Sequence, residues 1–389
     1  MSLDRGARLE RLLARHRDAV VSEGGNGTFA LHRKDQLLVS VQQADRAQNA
    51  ADRWTAHRED LPELGVSRLH LHPNAGVHVG ELARELRDHP DGPIAVSPNH
   101  LLRGEPGYEG GPWNEPTPAP PQPRPVSAEP LARRAFVAVL DTGVVNHPWF
   151  EGTDWFAQVT ADQMDPLTEA PDYRLETQTG HGTFVAGVLL RQAPSAFLMI
   201  ERVLDDTGVC DELQLLGGLN RLYRRLSTTG ETLDVLNLSL GGYTLDDEPS
   251  PLLSDALARF GKHTVIVVAA GNNGSNRPFW PAALKSCVAV GALEPGCEQR
   301  AEFSNHGYWV DACAVGSDVV GPFLEEICEG GQRFDGFARW SGTSFATPHV
   351  AGAIAQWAAA KQSTAAEAAD NLLDPATRKR HHEFGVVVE

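Results

Sequence analysis

Four polar side chains lie in short, glycine-rich contexts that suit acyl transfer. Asp141 lies in VAVLDTGVV, His181 in GHGTFVAGVL, Asn272 in VVAAGNNG just beyond an apolar run, and Ser344 in SGTSFATPHVAGA. A hydroxyl is a poor nucleophile until a base accepts its proton, and histidine titrates in the useful range. The imidazole in turn needs a carboxylate to fix its tautomer and stabilise its charged form. A tetrahedral oxyanion needs aimed donors, and one side-chain amide is worth about 2.7–4 kcal/mol. Ser344, His181, Asp141 and Asn272 supply these four roles. The backbone N–H of Ser344 and the helix dipole beneath it would assist.

Each residue alone also has a structural reading. A strand-end aspartate often caps the next turn, a Gly-flanked histidine can be a satisfied turn residue, and Asn-Asn-Gly invites a left-handed turn. The serine segment is the most specific, because small residues crowd around an accessible hydroxyl. All four together, in this order, make the chemical reading the stronger one.

The elements that must hold these groups alternate in type. AFVAVLD (135–141), AFLMIERVL (196–204), TLDVLNLSL (232–240), HTVIVVAAG (263–271) and SCVAVGAL (286–293) are short apolar runs suited to doubly covered strands. Helical stretches lie between and after them: 182–192, 212–226, 251–262 and 343–361. This alternation predicts an α/β fold, a parallel central sheet with helices on both faces. Reactive groups in such folds gather at the carboxyl ends of the strands. Pro348 is expected within the first turns of its helix, where proline is tolerated.

Before this part the chain changes character. Residues 1–103 mix alternating apolar runs (36–41, 67–73, 93–101) with helical stretches (47–58, 78–89), which predicts a small α+β module. Residues 104–130 are so rich in Pro and Gly that packed helix or strand is not expected there; they read as a linker. Residues 131–389 form the third part.

Of the 389 residues, 41% are hydrophobic, enough for a buried core. The net charge of -17 has the wrong sign for a nucleic-acid partner. Five cysteines without a CxxC pair (Cys210, Cys287, Cys297, Cys313, Cys328) suit free thiols better than a disulfide framework or a zinc site. No apolar run reaches the roughly 18 residues of a membrane span. The opening MSLDRGARLERLLARHRDAVV lacks the apolar core of a secretory signal. A cytoplasmic protein is therefore expected if the chain is whole, and a secreted one if a leader preceded it.

VAVLDTGV, HGTFVAG, LNLSLGG, AAGNNG and GTSFATPHVAG, in this order across 135–355, resemble the motifs of the subtilisin-like serine peptidases. The resemblance implies Asp141 as orienting carboxylate, His181 as general base and then acid, Ser344 as nucleophile, and Asn272 as oxyanion donor. It implies that Ser239, Leu240, Gly241 and Gly242 line an extended peptide bound by strand addition. Val203, Leu204, Asp205 and Asp206 would form the facing strand. Phe184 departs from the family pattern, which often has a second histidine after HGT. His349 reads as a packed structural residue, and His381 and His382 as part of a solvated basic tail. The chemistry needs no cofactor; calcium sites of relatives find no matching ligands here, so metal binding stays open.

Relatives often carry an α+β propeptide, and 80–104 resembles the last helix and strand of one. The module would then block the cleft in cis, with cleavage in or near Asn99–Pro125; Arg133-Arg134 is a less suitable alternative. Carboxylates near the lining strands (Asp205, Asp206, Asp211 and the segment 244–250) would favour Arg or Lys in the substrate, unless they merely form a solvated acidic surface. The implied reaction is peptide-bond hydrolysis through an acyl-enzyme on Ser344, with a neutral-to-alkaline optimum because His181 must be uncharged. Two readings compete. A catalytically silent peptide-binding scaffold would keep the fold without turnover. An aspartic peptidase would use the Asp-Thr-Gly copies at Asp141 and Asp206, but the strand–helix alternation and the close spacing of the copies oppose it.

Overall fold

The computed structural model describes residues 12–24, 29–104, 115–127, 131–167, 178–329 and 332–389, together with Glu10. The stretches 105–114 and 128–130 of the proline-rich segment lie outside it.

The amino-terminal part is an antiparallel sheet of β1 (Ala19–Glu23), β2 (Phe29–Ser40), β3 (Thr55–Leu61), β4 (Val66–Leu71) and β5 (Val96–Arg103). Helix α1 (Ala44–Ala50) follows β2, and α2 (Val79–Arg87) precedes β5. Val79, Leu82, Ala83 and Leu86 recur on one face of α2 and pack with Leu37, Val39, Leu69 and Val96 in a separate small core. The helix expected over 47–58 breaks in its middle. After α1 the chain makes one 3-10 turn and becomes β3, pairing with β4 from Thr55 to Leu61. Cross-strand pairing thus overrides the local helical pattern of the Ala-rich stretch.

The second sheet has seven parallel strands: β6 (Phe136–Asp141), β7 (Phe197–Arg202), β9 (Val235–Leu238), β10 (Val265–Ala269), β11 (Cys287–Leu293), β12 (Ala312–Val315) and β13 (Val386–Val387). Their spatial order is β13-β12-β11-β10-β9-β6-β7. The strands are almost wholly buried, as their continuous apolar runs require. The short β8 (Val209–Asp211) lies outside this sheet and pairs antiparallel with β5.

Helices α3 (His181–Gln192) and α6 (Thr343–Lys361) pack on each other and on the sheet; α4 (Glu212–Thr229) and α5 (Pro251–Ala258) form a second packed pair. A Cβ on Gly352 would lie 2.7 Å from the Leu189 carbonyl oxygen, so the small residues of α6 let the two central helices approach closely. Phe184, the family departure, is fully buried with its ring centroid 4.5 Å from that of Phe345.

Two local expectations are corrected. Thr117–Pro118, within the expected linker, pairs with the strand Phe337–Trp340, and Trp149 Nε1 donates to the Gln122 carbonyl. His381 is buried rather than solvated, stacked on the exposed His382. Pro348 is the sixth residue of α6, in its second turn and so within the first turns as expected. Cys210, Cys287, Cys297 and Cys313 are free thiols, and burial raises each of their pKa values. Among the described residues no group of three or more His, Cys, Asp or Glu could hold a metal ion, and no helix is long and apolar enough to cross a membrane.

Candidate active site

Asp141 is the last residue of β6 and His181 the first of α3, so one strand end and one helix start bring the carboxylate to the imidazole. His181 Nδ1 donates to Asp141 Oδ1 at 2.7 Å, and both side chains are buried. Thr142 N–H donates to the same oxygen. The acceptor at Nδ1 fixes the tautomer whose Nε2 lone pair can take a proton. Gly180 precedes the histidine with φ 82, a conformation that favours glycine. Gly182 follows it, and a Cβ there would lie 2.1 Å from the Gly143 carbonyl oxygen. The HG pair is thus a steric requirement for bringing α3 onto β6.

Asp165, which carried no sequence signal, braces this corner. Its Oδ2 accepts from Gly180 N–H and from the Thr142 hydroxyl, and its Oδ1 from Leu167 N–H. Burial raises its pKa to about 6.

Ser344 is the second residue of α6, whose amino end rests on Asn272: Asn272 Oδ1 accepts from Thr343 N–H at 2.8 Å and from the Thr343 hydroxyl at 2.9 Å. With its oxygen so engaged, the amide leaves Nδ2 as the end available to an oxyanion. Asn305 Oδ1 accepts from Asn273 and Ser275 N–H, and its Nδ2 donates to the Ala270 carbonyl and the Tyr243 hydroxyl. This second asparagine, absent from the sequence reading, freezes the loop that carries Asn272. The proline in α6 has its own effect. Pro348 cannot donate to the Ser344 carbonyl four residues back, and that carbonyl instead accepts the Ser239 hydroxyl at 2.9 Å. The interruption of the helix ladder ties Ser344 to the segment 239–242.

The serine and histidine are not directly hydrogen-bonded. Ser344 Oγ donates to the Gly104 carbonyl at 3.0 Å and to the Ser239 carbonyl at 3.3 Å, while His181 Nε2 is buried without a partner. Both side chains meet at Gly104: a Cβ on it would lie 3.4 Å from His181 Cε1. The Gly104 oxygen is held by the hydroxyl, not by Asn272, as for a docked but unreacted strand.

The amino-terminal module is what fills the cleft. Leu101, Leu102 and Arg103 of β5 pair with Asp211, Cys210 and Val209, while Arg103 also exchanges both backbone bonds with Gly241. Gly104 N–H donates to the Gly208 carbonyl. The chain therefore lies between two lining strands as their middle strand. Gly241 pairs with it, and Gly242 pairs with Trp280. Leu204 points its Cδ1 at the Gly104 position, whereas Val203 packs inward against Gly218 and Leu240 is buried.

The acidic residues around the cleft are also occupied. Asp206 binds Arg15 at 3.1 Å, Asp205 lies 3.3 Å from His16 Nε2, Asp211 binds Arg33 at 2.9 Å, and Asp246 pairs with Arg87. Asp206, Asp211 and Asp246 thus match arginines of the amino-terminal module, and Asp205 faces its His16. His349 pairs with Gln192 and does not join the triad.

Residues 132–386 match the subtilase family of peptidases, S8. The chain belongs to the subtilase family. It is 33% identical over 231 residues to a thermophilic serine proteinase of Bacillus sp. (strain AK1), a match covering 56% of this chain and 51% of that relative. Subtilisin BL of Lederbergia lenta is 34% identical over 230 residues, covering 56% of this chain and 74% of the relative. The chain thus spans about half the length of the first of these relatives. Among solved structures, fervidolysin from Fervidobacterium pennivorans, a keratinolytic enzyme related to subtilisin, aligns with TM-score 0.62 and 20% identity over 92% of this chain and 60% of its own. That likeness establishes the shared subtilase fold.

Proposed function

We propose that the chain is a serine endopeptidase held in check by its own amino-terminal module. The buried Asp141–His181 bond, together with a serine hydroxyl and an oriented asparagine amide around one backbone carbonyl, supports this reading best. Ser344 attacks the carbonyl of an extended peptide and His181 Nε2 accepts its proton. Asn272 Nδ2 and the Ser344 N–H stabilise the oxyanion, and His181 returns the proton to the leaving amine. Water then hydrolyses the acyl-enzyme by the same steps. No metal or cofactor enters this chemistry.

Residues 1–103, 104–130 and 131–389 act as inhibitory module, linker and catalytic domain. In the docked state β5 and Gly104 take the place of substrate, so release of the module must precede turnover. Self-cleavage is expected in or near Asn99–Pro125, a range that includes Gly104, whose carbonyl accepts from Ser344 Oγ; residues 105–114 of that range lie outside the described residues.

The test is labelling of the purified full chain with a fluorophosphonate, alongside hydrolysis of an unfolded protein substrate. Ser344 is the expected site of label, and both signals should vanish in Ser344→Ala. An intact-mass comparison with Ser344→Ala reports self-cleavage. A folded chain that neither labels nor hydrolyses would favour the silent scaffold.

A further inference from the structure

Gly241 and Gly271 face each other across a slot beside the reacting atoms. Gly241 belongs to the strand that pairs with the bound chain, and Gly271 directly precedes Asn272. Two bare glycine backbones at this place leave room for the side chain of the residue whose carbonyl enters the oxyanion hole. The slot is nevertheless full. A Cβ on Gly241 would lie 2.3 Å from Phe279 Cε1, and one on Gly271 would lie 3.1 Å from both Phe279 Cδ atoms. The phenyl ring is buried. Tyr243 packs edge-on against it at 5.2 Å and is itself held between Asn305 and Asn273. The backbone after Phe279 is fixed too, because Trp280 exchanges both backbone hydrogen bonds with Gly242.

We propose that Phe279 occupies the pocket for the substrate residue on the amino side of the scissile bond and restricts that residue to glycine or alanine. The inference rests on the peptidase reading above and adds its substrate class. A larger side chain there would have to displace a ring wedged between two backbones, and interiors packed to this density do not yield without cost. The residue that the chain itself presents to Ser344 Oγ is a glycine, Gly104; an added carbon there would meet Leu204 Cδ1 at 2.9 Å, so the limit at Gly104 is set by Leu204 and not by Phe279.

The experiment measures kcat/KM of the full chain on four peptidyl anilides that differ only in Gly, Ala, Leu or Phe before the scissile bond. The wild type should favour Gly and Ala over Leu and Phe by about tenfold or more, the range in which pocket shape discriminates. Phe279→Ala should raise the Leu and Phe values by about tenfold, while Phe279→Leu, which keeps most of the bulk, should retain the wild-type ranking. A wild type that cleaves all four equally overturns the inference while leaving the peptidase reading intact, and that measurement does not depend on the variants folding. Failure to turn over any of the four, together with no fluorophosphonate label, overturns that reading and the inference with it.

Discussion

Arg33 of the amino-terminal module donates from Nε to Asp211 Oδ2 at 2.9 Å, and Asp211 is the residue that caps helix α4. Both side chains are nearly buried, and Arg33 also holds Asp18 at 2.6 Å. Removing one partner of such a pair strands the other charge, which typically costs about 3–5 kcal/mol. Arg33→Ala should therefore loosen the module from the cleft. In the full chain, fluorophosphonate labelling of Ser344 should accelerate at least about tenfold, since roughly 1.4 kcal/mol already gives that factor. An unchanged labelling rate in a folded variant would show that the ion pair does not hold the block.

Asp165 should make stability fall as the medium becomes less acid. Its folded pKa is raised to about 6 by burial, against about 3.9 in an unfolded chain. A raised carboxyl favours the folded state below the unfolded value and loses that advantage as pH climbs from about 4 through 6, worth about 3 kcal/mol in all. Melting temperatures of Ser344→Ala, which cannot digest itself, should show this decline. Adding Asp165→Asn should flatten the curve across that window, whatever it does to absolute stability. Parallel curves for the two proteins would remove Asp165 as the titrating group.

Gly182→Ala offers a steric check on the triad. The new methyl would sit 2.1 Å from the Gly143 carbonyl oxygen and 3.2 Å from Asp141 Cβ, so either α3 backs away from β6 or the domain fails to close. Turnover should drop by at least about a hundredfold, in keeping with the loss expected from a displacement of about 1 Å at a catalytic group. Gly217→Ala is the control, because its Cβ would meet nothing nearer than the flexible Arg221 guanidinium at 3.6 Å. Equal activity in the two variants would mean the contact is not needed.

His181→Ala and Ser344→Ala should each remove nearly all turnover, and the double variant should be little worse than either. Additive losses measured by kcat would mean that the two side chains serve separate steps.

The sequence by itself determined the scaffold type and the candidate residues for the active site. Local patterns carry both kinds of information: continuous apolar runs specify buried parallel strands, and HGT, AAGNNG and GTSFATP are short-range steric solutions readable in a few residues. Helix α6 begins and ends where its pattern does, at Thr343 and Lys361. Long-range packing decided the rest. No local signal says that Val209–Asp211 will leave its neighbours to pair with β5, that Arg15, Arg33 and Arg87 will meet Asp206, Asp211 and Asp246, or that Asn305 will lock the oxyanion loop. Likewise, the ring of Phe279 acquires meaning only once Gly241 and Gly271 are brought to either side of it. Such contacts join segments far apart in the chain. They depend on how two sheets and their loops close on one another, and no single stretch of residues encodes that closure.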